Sequence, residues 1–250
     1  MPTIHIGCSG FNYAGWKGTF YPDRLPQKKW FEYYCTIFST VELNVTFYRL
    51  PLLNTFEKWH TETPRDFSFS LKGSRFITHV TRLLDPEKFL DLFFERSSPL
   101  RQKLKVVLWQ FPPGFAVNME RLGRFVELLD RYPVRNTLEF RNQSWITDEV
   151  FDLCSTHNVS LCMADWPPFI NELPITSNFV YVRRHGLEGN YATCYSEAAL
   201  KKDAGRMRTY MADGKDVYIY FNNDAYGYAP RNGGELKEMI KDRATNETHV

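Results

Sequence analysis

TVELNVTFYRLP, residues 40–51, bears on both the fold and the site. Its first half, Thr40-Val41-Glu42-Leu43-Asn44, is β-branched and apolar enough to predict a short strand. Side chains alternate along a strand, so Glu42 and Asn44 share one face. Phe47, Tyr48, Arg49 and Pro51 follow where such a strand would open into a loop. A carboxylate and an amide on the buried side of a strand are costly unless something needs them. The stretch therefore reads as an apolar strand that delivers polar groups near its C-terminal end.

The same grammar recurs down the chain. Strands are predicted over residues 3–8, 40–44, 67–72, 105–111, 135–141, 159–165, 179–185 and 216–222. Helices are predicted over 27–38, 54–61, 85–96, 119–131, 147–156, 197–211 and 232–241. The stripe Trp30, Phe31, Tyr34, Ile37 and Phe38 has the 3.6-residue period of a buried helix face. Asn54 is expected to N-cap its helix, and Pro86 to sit in the first turn of the next. Strand-then-helix units following one another without a linker predict a single-domain (β/α)8 TIM-type barrel over residues 1–243, with a polar tail over 244–250. A doubly wound open sheet is the competing architecture. It would usually bring a glycine-rich phosphate loop after its first strand, and Gly7-Cys8-Ser9-Gly10 supplies only G-x-x-G.

Composition excludes several classes. The 250 residues carry a formal net charge of +2, which argues against generic nucleic-acid or membrane binding. The apolar share of 43% suffices for a sizeable core, and the aromatic share of 16% leaves rings to spare for a site. Five cysteines include no C-x-x-C pair, so reduced thiols in a cytoplasmic protein are expected. The N-terminus lacks a basic stretch followed by an apolar one, and no run is long enough to span a bilayer.

In a barrel of this kind the active site lies at the C-terminal ends of the strands. Those ends carry Ser9, Glu42, Asn44, Lys72, Gln110, Glu139, Arg141, Asp165, Arg183, His185 and Asn222. Parity points Glu42, Lys72, Glu139, Arg141, Arg183 and His185 inward, with Asp165 out of phase. Three permanent cations, two carboxylates and one imidazole favour an anionic ligand. So many charges cost more than they return unless a site uses them, although each alone could be a structural ion pair. Glu42 and Glu139 are expected to face each other across the mouth and to divide acid and base work, the usual role of paired carboxylates in unlike environments. A Schiff base on Lys72 is the weaker option, because carboxylates nearby would hold its amine charged. Arg183 and Arg184, with His185-Gly186 and Asn222-Asn223, suggest a phosphate pocket after the last two strands.

Two other readings compete. His5, His79 and His185 with Glu42, Glu139 and Asp165 could ligate a divalent metal, but no H-x-H, H-x-x-x-H or E-x-x-H spacing supports it, and no metal ligand is assigned. Phe11, Tyr13, Trp16, Tyr48, Trp145 and Trp166 could stack on a sugar or base, or pack the loops over the barrel top.

The segments GCSGFNYAGWKGTFYP (7–22), ELNVTFYRLP (42–51), KGSRFITH (72–79), QFPP (110–113), EFRNQSW (139–145), YVRRHG (181–186) and YFNN (220–223) together closely resemble the DUF72 family, the YecE-like proteins. The resemblance covers nearly the whole chain in order. It implies a TIM-type barrel with a cleft at the strand C-termini and no settled activity. One departure is Asn142, which stands where the family usually has histidine in E-x-R-H-x-S-W. The expected roles are Glu42, Glu139, Lys72, Arg141 and His185 as catalytic groups. Ser9, Asn44, Tyr48, Gln110, Trp145, Asp165, Arg183, Asn222 and Asn223 are expected to bind substrate. The substrate is expected to be small and anionic or polyhydroxy, with a phosphorylated sugar as one form. The alternatives are a metal-assisted phosphodiesterase or nuclease of the endonuclease IV type, and a non-catalytic module whose rim grips nucleic acid or a partner.

Overall fold

The computed structural model describes residues 1–246, with side chains through residue 241. Its strands close into one barrel in chain order: β1 (Ile4–Cys8), β2 (Thr40–Leu43), β3 (Ser68–Lys72), β4 (Leu104–Gln110), β5 (Arg135–Glu139), β6 (Ser160–Ala164), β7 (Phe179–Arg184) and β8 (Asp216–Phe221). All neighbours are parallel, and β8 returns to β1 with Ile4 opposite Val217 and Cys8 opposite Phe221. The helices are α1 (Trp30–Ile37), a single turn α2 (Val45–Tyr48), α3 (Leu53–Thr61), α4 (Glu87–Ser97), α5 (Met119–Leu129), α6 (Asp148–Thr156), α7 (Glu197–Ala212) and α8 (Tyr228–Asn246). Between β6 and β7 the connection carries a 3-10 turn, Pro168–Ile170, in place of an α-helix. Pro167, Pro168 and Pro174 in that connection explain why the helical period fails there.

Strand parity sorts the core into two layers. Outward residues such as Val41, Leu43, Phe69, Trp109 and Ile219 pack against the helices. Inward residues Val106, Leu108, Cys162, Tyr181, Tyr218 and Tyr220 fill the barrel itself. The barrel is thus a packed core below and a charged mouth above. At the mouth, Gly73 follows β3 where a Cβ would stand 2.1 Å from the Trp109 ring, so only glycine fits. Helix starts are fixed by side chains: Asn118, Thr147 and Ser196 accept from the backbone N–H of Arg121, Val150 and Ala199.

Several expected boundaries shift. Asn54 lies inside α3, which begins at Leu53, so it does not cap the helix. Pro86 is itself the N-cap residue of α4. The final helix starts earlier than residue 232, at Tyr228, and carries Gly233 where an added Cβ would stand 3.2 Å from the Phe38 ring. It also runs past residue 243 to Asn246, while residues 247–250 of the expected tail lie outside the described residues. A turn of π-helix, Phe76–Val80, follows β3 and was not foreshadowed by any sequence period.

Candidate functional site at the barrel mouth

The strands bring Glu42, Glu139 and Arg183 together as expected, but in an arrangement that parity alone does not reveal. Arg183 lies between the two carboxylates. Its Nε and Nη2 donate to Glu42 Oε1 at 3.2 and 2.8 Å, and its Nη1 donates to Glu139 Oε2 at 2.7 Å. All three side chains are fully buried. The second oxygen of Glu42 accepts from Tyr181 Oη at 2.6 Å. Below them Tyr220 Oη meets Thr40 Oγ1 at 2.7 Å and Ser70 Oγ at 2.9 Å, which ties β8 to β2 and β3 beneath the mouth.

Arg141 covers the other side of Glu139. Its Nε donates to Glu139 Oε1 at 2.6 Å, and its Nη2 pairs with the same oxygen. Burial raises the Glu139 carboxyl pKa, yet the charges of Arg141 and Arg183, with Lys72 adding to them, more than offset it and hold the group well below the usual carboxylate range. Glu139 is therefore an ionised anchor.

His185 is buried against both guanidiniums. Arg141 Nη2 and Arg183 Nη1 approach its Nε2 at 3.0 and 3.1 Å. Two N–H donors facing one ring nitrogen assign Nε2 as the acceptor and place the proton on Nδ1. Burial and then the Arg183 charge lower the imidazole pKa, so the ring is neutral at pH 7. Its Nδ1 stands 3.5 Å from Asp165 Oδ1 and makes no hydrogen bond. Asp165 instead accepts from the His185 backbone N–H at 2.8 Å and from the Tyr195 hydroxyl. Tyr195 Oη in turn accepts from Gly186 N at 2.6 Å. The out-of-phase aspartate thus ties the seventh loop down beside His185.

Lys72 is the mouth cation that no carboxylate among the described residues holds. Its Nζ lies 4.3 Å from the centre of the Phe47 ring. Burial and then the Arg183 charge bring its amine down to about 8, with Glu139 and Glu42 pulling the other way. His79 stands edge-on to the same ring at 4.9 Å, its Nδ1 2.8 Å from Thr78 Oγ1. Burial, then Lys72 and Arg75, lower the His79 imidazole to about 4. Lys72 and His79 thus flank one aromatic ring at the mouth, each biased towards its neutral form. Sequence reasoning weighed His79 only as a metal ligand. Its placement comes from the π-helical turn, which has no pattern to read.

The remaining predicted binding residues divide. Ser9 and Asn44 reach the mouth, and Gln110 stands opposite Glu139 in register. Tyr48 is 71% exposed on the rim. Trp145 does not face the mouth: it is fully buried, stacks on Phe140 at 5.3 Å and donates its indole N–H to Phe115 O at 2.6 Å. Both ring surface and polar handle are occupied, so it packs the loop. Arg184 points outward and pairs with Asp203 of α7, which removes it from the expected phosphate pocket. Asn222 ties β8 to β7 through its backbone N–H to Arg184 O at 2.7 Å. Asn223 Nδ2 donates to Thr193 O and Asn232 Oδ1, holding the seventh loop onto α8. Asn142, in the place of the family's usual histidine, accepts from Ser144 N and donates to Pro113 O, which makes it a turn former.

Among the described residues no group of three or more His, Cys, Asp or Glu side chains gathers as metal ligands would. His5, one of the three histidines weighed, lies at the opposite end of the barrel, stacked on Tyr218 at 4.5 Å. No helix among these residues is long and apolar enough to cross a membrane.

Comparison with known proteins agrees with this architecture. UPF0759 protein YunF of Bacillus subtilis (strain 168) is 27% identical over 273 aligned residues, covering 95% of this chain and 94% of that one. UPF0759 protein YecE of Escherichia coli (strain K12) is 32% identical over a shorter stretch, 34% of this chain and 31% of its own length. The crystal structure of a DUF72 family protein from Thermotoga maritima MSB8 superposes with a TM-score of 0.84 at 30% identity, covering 96% of this chain and 99% of that one. The family model described as protein of unknown function DUF72 matches residues 5–249, and the chain is a member of that family.

Proposed function

We propose that the barrel mouth is the active site of an enzyme acting on a small anionic substrate, with Lys72 and Arg141 meeting the anion. One observation carries this reading. All four oxygens of Glu42 and Glu139 are engaged, three of them by arginines and one by Tyr181, whereas among the described residues Lys72 Nζ and the Nη1 of Arg141 have no hydrogen-bond acceptor. The inner set of two carboxylates, two arginines and one lysine, with a neutral His185, leaves one positive charge in surplus until Asp165, beyond His185, is counted. A half-buried cation with no carboxylate of its own is a group that an anionic ligand can neutralise.

The roles divide accordingly. Glu42 and Glu139 hold the guanidiniums in place, and Arg183 is the bridge that fixes both. Arg141 is oriented by Glu139 and His185 so that its free edge faces the mouth, where it can grip a carboxylate or phosphate oxygen. Lys72, with its amine brought down to about 8, is the group best placed to give or take a proton, and the neutral imidazole of His79 stands against the same Phe47 ring. Acid and base work therefore moves from the carboxylate pair to the Lys72–His79 side.

The metal-assisted reading has less support, because the oxygens it needs on Glu42 and Glu139 already face guanidinium groups. A screen of carboxylate and phosphate monoesters, read by calorimetry and product formation, tests the proposal. Wild type should bind at least one anion, and Lys72→Met and Arg141→Ala should each lose it without loss of the folded state. Unchanged binding in both variants would refute the assignment.

A further inference from the structure

Beside the mouth, between the first two βα loops, a second cavity of 430 Å³ opens, with Ser9, Asn12, Asn44, Phe11, Tyr13 and Trp59 among its walls. No side chain in its lining carries a charge at neutral pH. Two polar atoms there have no partner: Ser9 Oγ and Asn44 Oδ1 are both buried and unbonded. Ser9 is 1% exposed. Its backbone carbonyl is taken up by Tyr13 Oη at 2.6 Å and Asn44 Nδ2 at 3.4 Å, which fixes both side chains and leaves the hydroxyl and the amide oxygen open. Buried polar atoms facing a cavity are met by water or by a ligand.

The surroundings narrow the ligand. Phe11 has one face stacked on Phe31 at 4.1 Å. Phe11, Asn12 and Trp59 also wall an adjoining cavity of 400 Å³ between α1 and α3, where Gln27 Nε2 donates to Asn12 Oδ1 at 2.9 Å. The two spaces share those three residues, but the outer one is also lined by Lys28, Lys58 and Glu62, so the uncharged part is the inner cavity. Its aromatic walls, with neutral hydroxyl and amide groups, suit a ring that is apolar on its faces and hydroxylated at its edge. A hydroxyl can donate to Asn44 Oδ1 and accept from Ser9 Oγ at once, which neither a carboxylate nor an ammonium can do.

We propose that this inner cavity is a subsite for a neutral hydroxylated ring, a sugar unit, and that Ser9 and Asn44 bind one of its hydroxyls. The substrate class is then a sugar bearing an anionic group, which rests on the anion reading of the mouth but is tested separately from it.

Saturation-transfer NMR on the full chain tests it, with a pool of glucose, galactose, mannose, fructose and ribose, the same sugars as monophosphates, and inorganic phosphate alone. Wild type should transfer magnetisation to ring protons of at least one sugar. Ser9→Ala removes only a hydroxyl that has no partner in the fold, so it should keep the thermal midpoint while weakening that sugar about tenfold. Asn44→Leu should weaken it further. Phosphate binding that depends on Lys72, with no sugar bound, would leave the mouth reading standing and overturn this one. Sugar binding lost in Ser9→Ala but untouched in Lys72→Met would do the reverse. A sugar signal unchanged in both Ser9→Ala and Asn44→Leu, or water alone in the cavity of a crystal soaked in the pool, would also overturn it.

Discussion

Removing the bridge between the two glutamates is the most direct probe of how the mouth is held together. Arg183→Met keeps roughly the length and apolar stem of the side chain but deletes the guanidinium that donates to Glu42 and Glu139. Glu139 retains Arg141, whereas Glu42 keeps only the Tyr181 hydroxyl. One uncompensated carboxylate is thus left in a fully buried position, a change that costs about 3–5 kcal/mol. For a domain of this size each kcal/mol lowers the melting midpoint by about 2–4 °C, so the variant should melt about 6–20 °C lower near neutral pH.

The pH dependence supplies the sharper test. In wild type the folded Glu139 has a depressed pKa, so its contribution is present above the unfolded carboxylate value and is lost as pH falls through the lower folded one. In Arg183→Met, Glu139 keeps Arg141 but loses the Arg183 charge, so its folded pKa is depressed less and the variant has less stability to lose in acid. Urea denaturation of both proteins at about pH 7.5 and about pH 4 should therefore show the gap narrowing in acid. A loss below about 1 kcal/mol at neutral pH, or a gap that widens in acid, would refute the bridging role.

Lys72→Met should be at least as stable as wild type at neutral pH, because it deletes an amine whose pKa burial lowers to about 8; thermal melts check this. At neutral pH Lys72 costs stability where Glu139 adds it, but the pH slope has the same sign: the folded pKa is lowered, so stability should climb as pH rises from about 8 towards the unfolded lysine value. Anion binding, which needs the ammonium, should weaken over the same range, as read by calorimetry. Trp145→Ala should cost about 3–5 kcal/mol in urea denaturation, whereas Tyr48→Ala on the exposed rim should stay within about 0.5 kcal/mol. Asp203→Asn removes the buried partner of Arg184 and should cost stability without changing anion binding, since that pair faces α7 and not the mouth.

The fold was legible because period-two strands and 3.6-residue helices leave direct marks, and nothing in the barrel overrides them. Glu42, Glu139 and Arg183 converge because each sits at the same parity near the end of its strand. What the sequence hides is the pairing: parity says that Arg183 faces inward, not that it lies between two carboxylates from β2 and β5. Arg184 illustrates the complement, since one residue further along β7 its charge turns outward to Asp203. Trp145 and Asn223 lie in loops, where no period tells a residue that lines a cleft from one that packs the loop beneath it. His79 owes its position to a π-helical turn that leaves no such mark.

The chemistry follows from which ionic groups remain uncommitted. A carboxylate serves as general acid only if its proton is available near neutral pH, and two arginines keep Glu139 charged. His185 is likewise disqualified as a mobile base: its Nε2 lone pair faces two guanidiniums, and its Nδ1 proton points at a carboxylate 3.5 Å away. Lys72 differs from all of these. It belongs to the same charged cluster, feels Arg183 and Arg141 as repulsion, and has only an aromatic face beside it. Bringing an anion to the mouth would raise its amine pKa and protonate it, so binding and proton uptake should be coupled. Calorimetry of anion binding in two buffers of unlike ionisation enthalpy should then show uptake of a fraction of a proton at about pH 8, vanishing in Lys72→Met. Equal heats in the two buffers would mean that Lys72 does not sense the ligand, and the assignment of the mouth would fall with it.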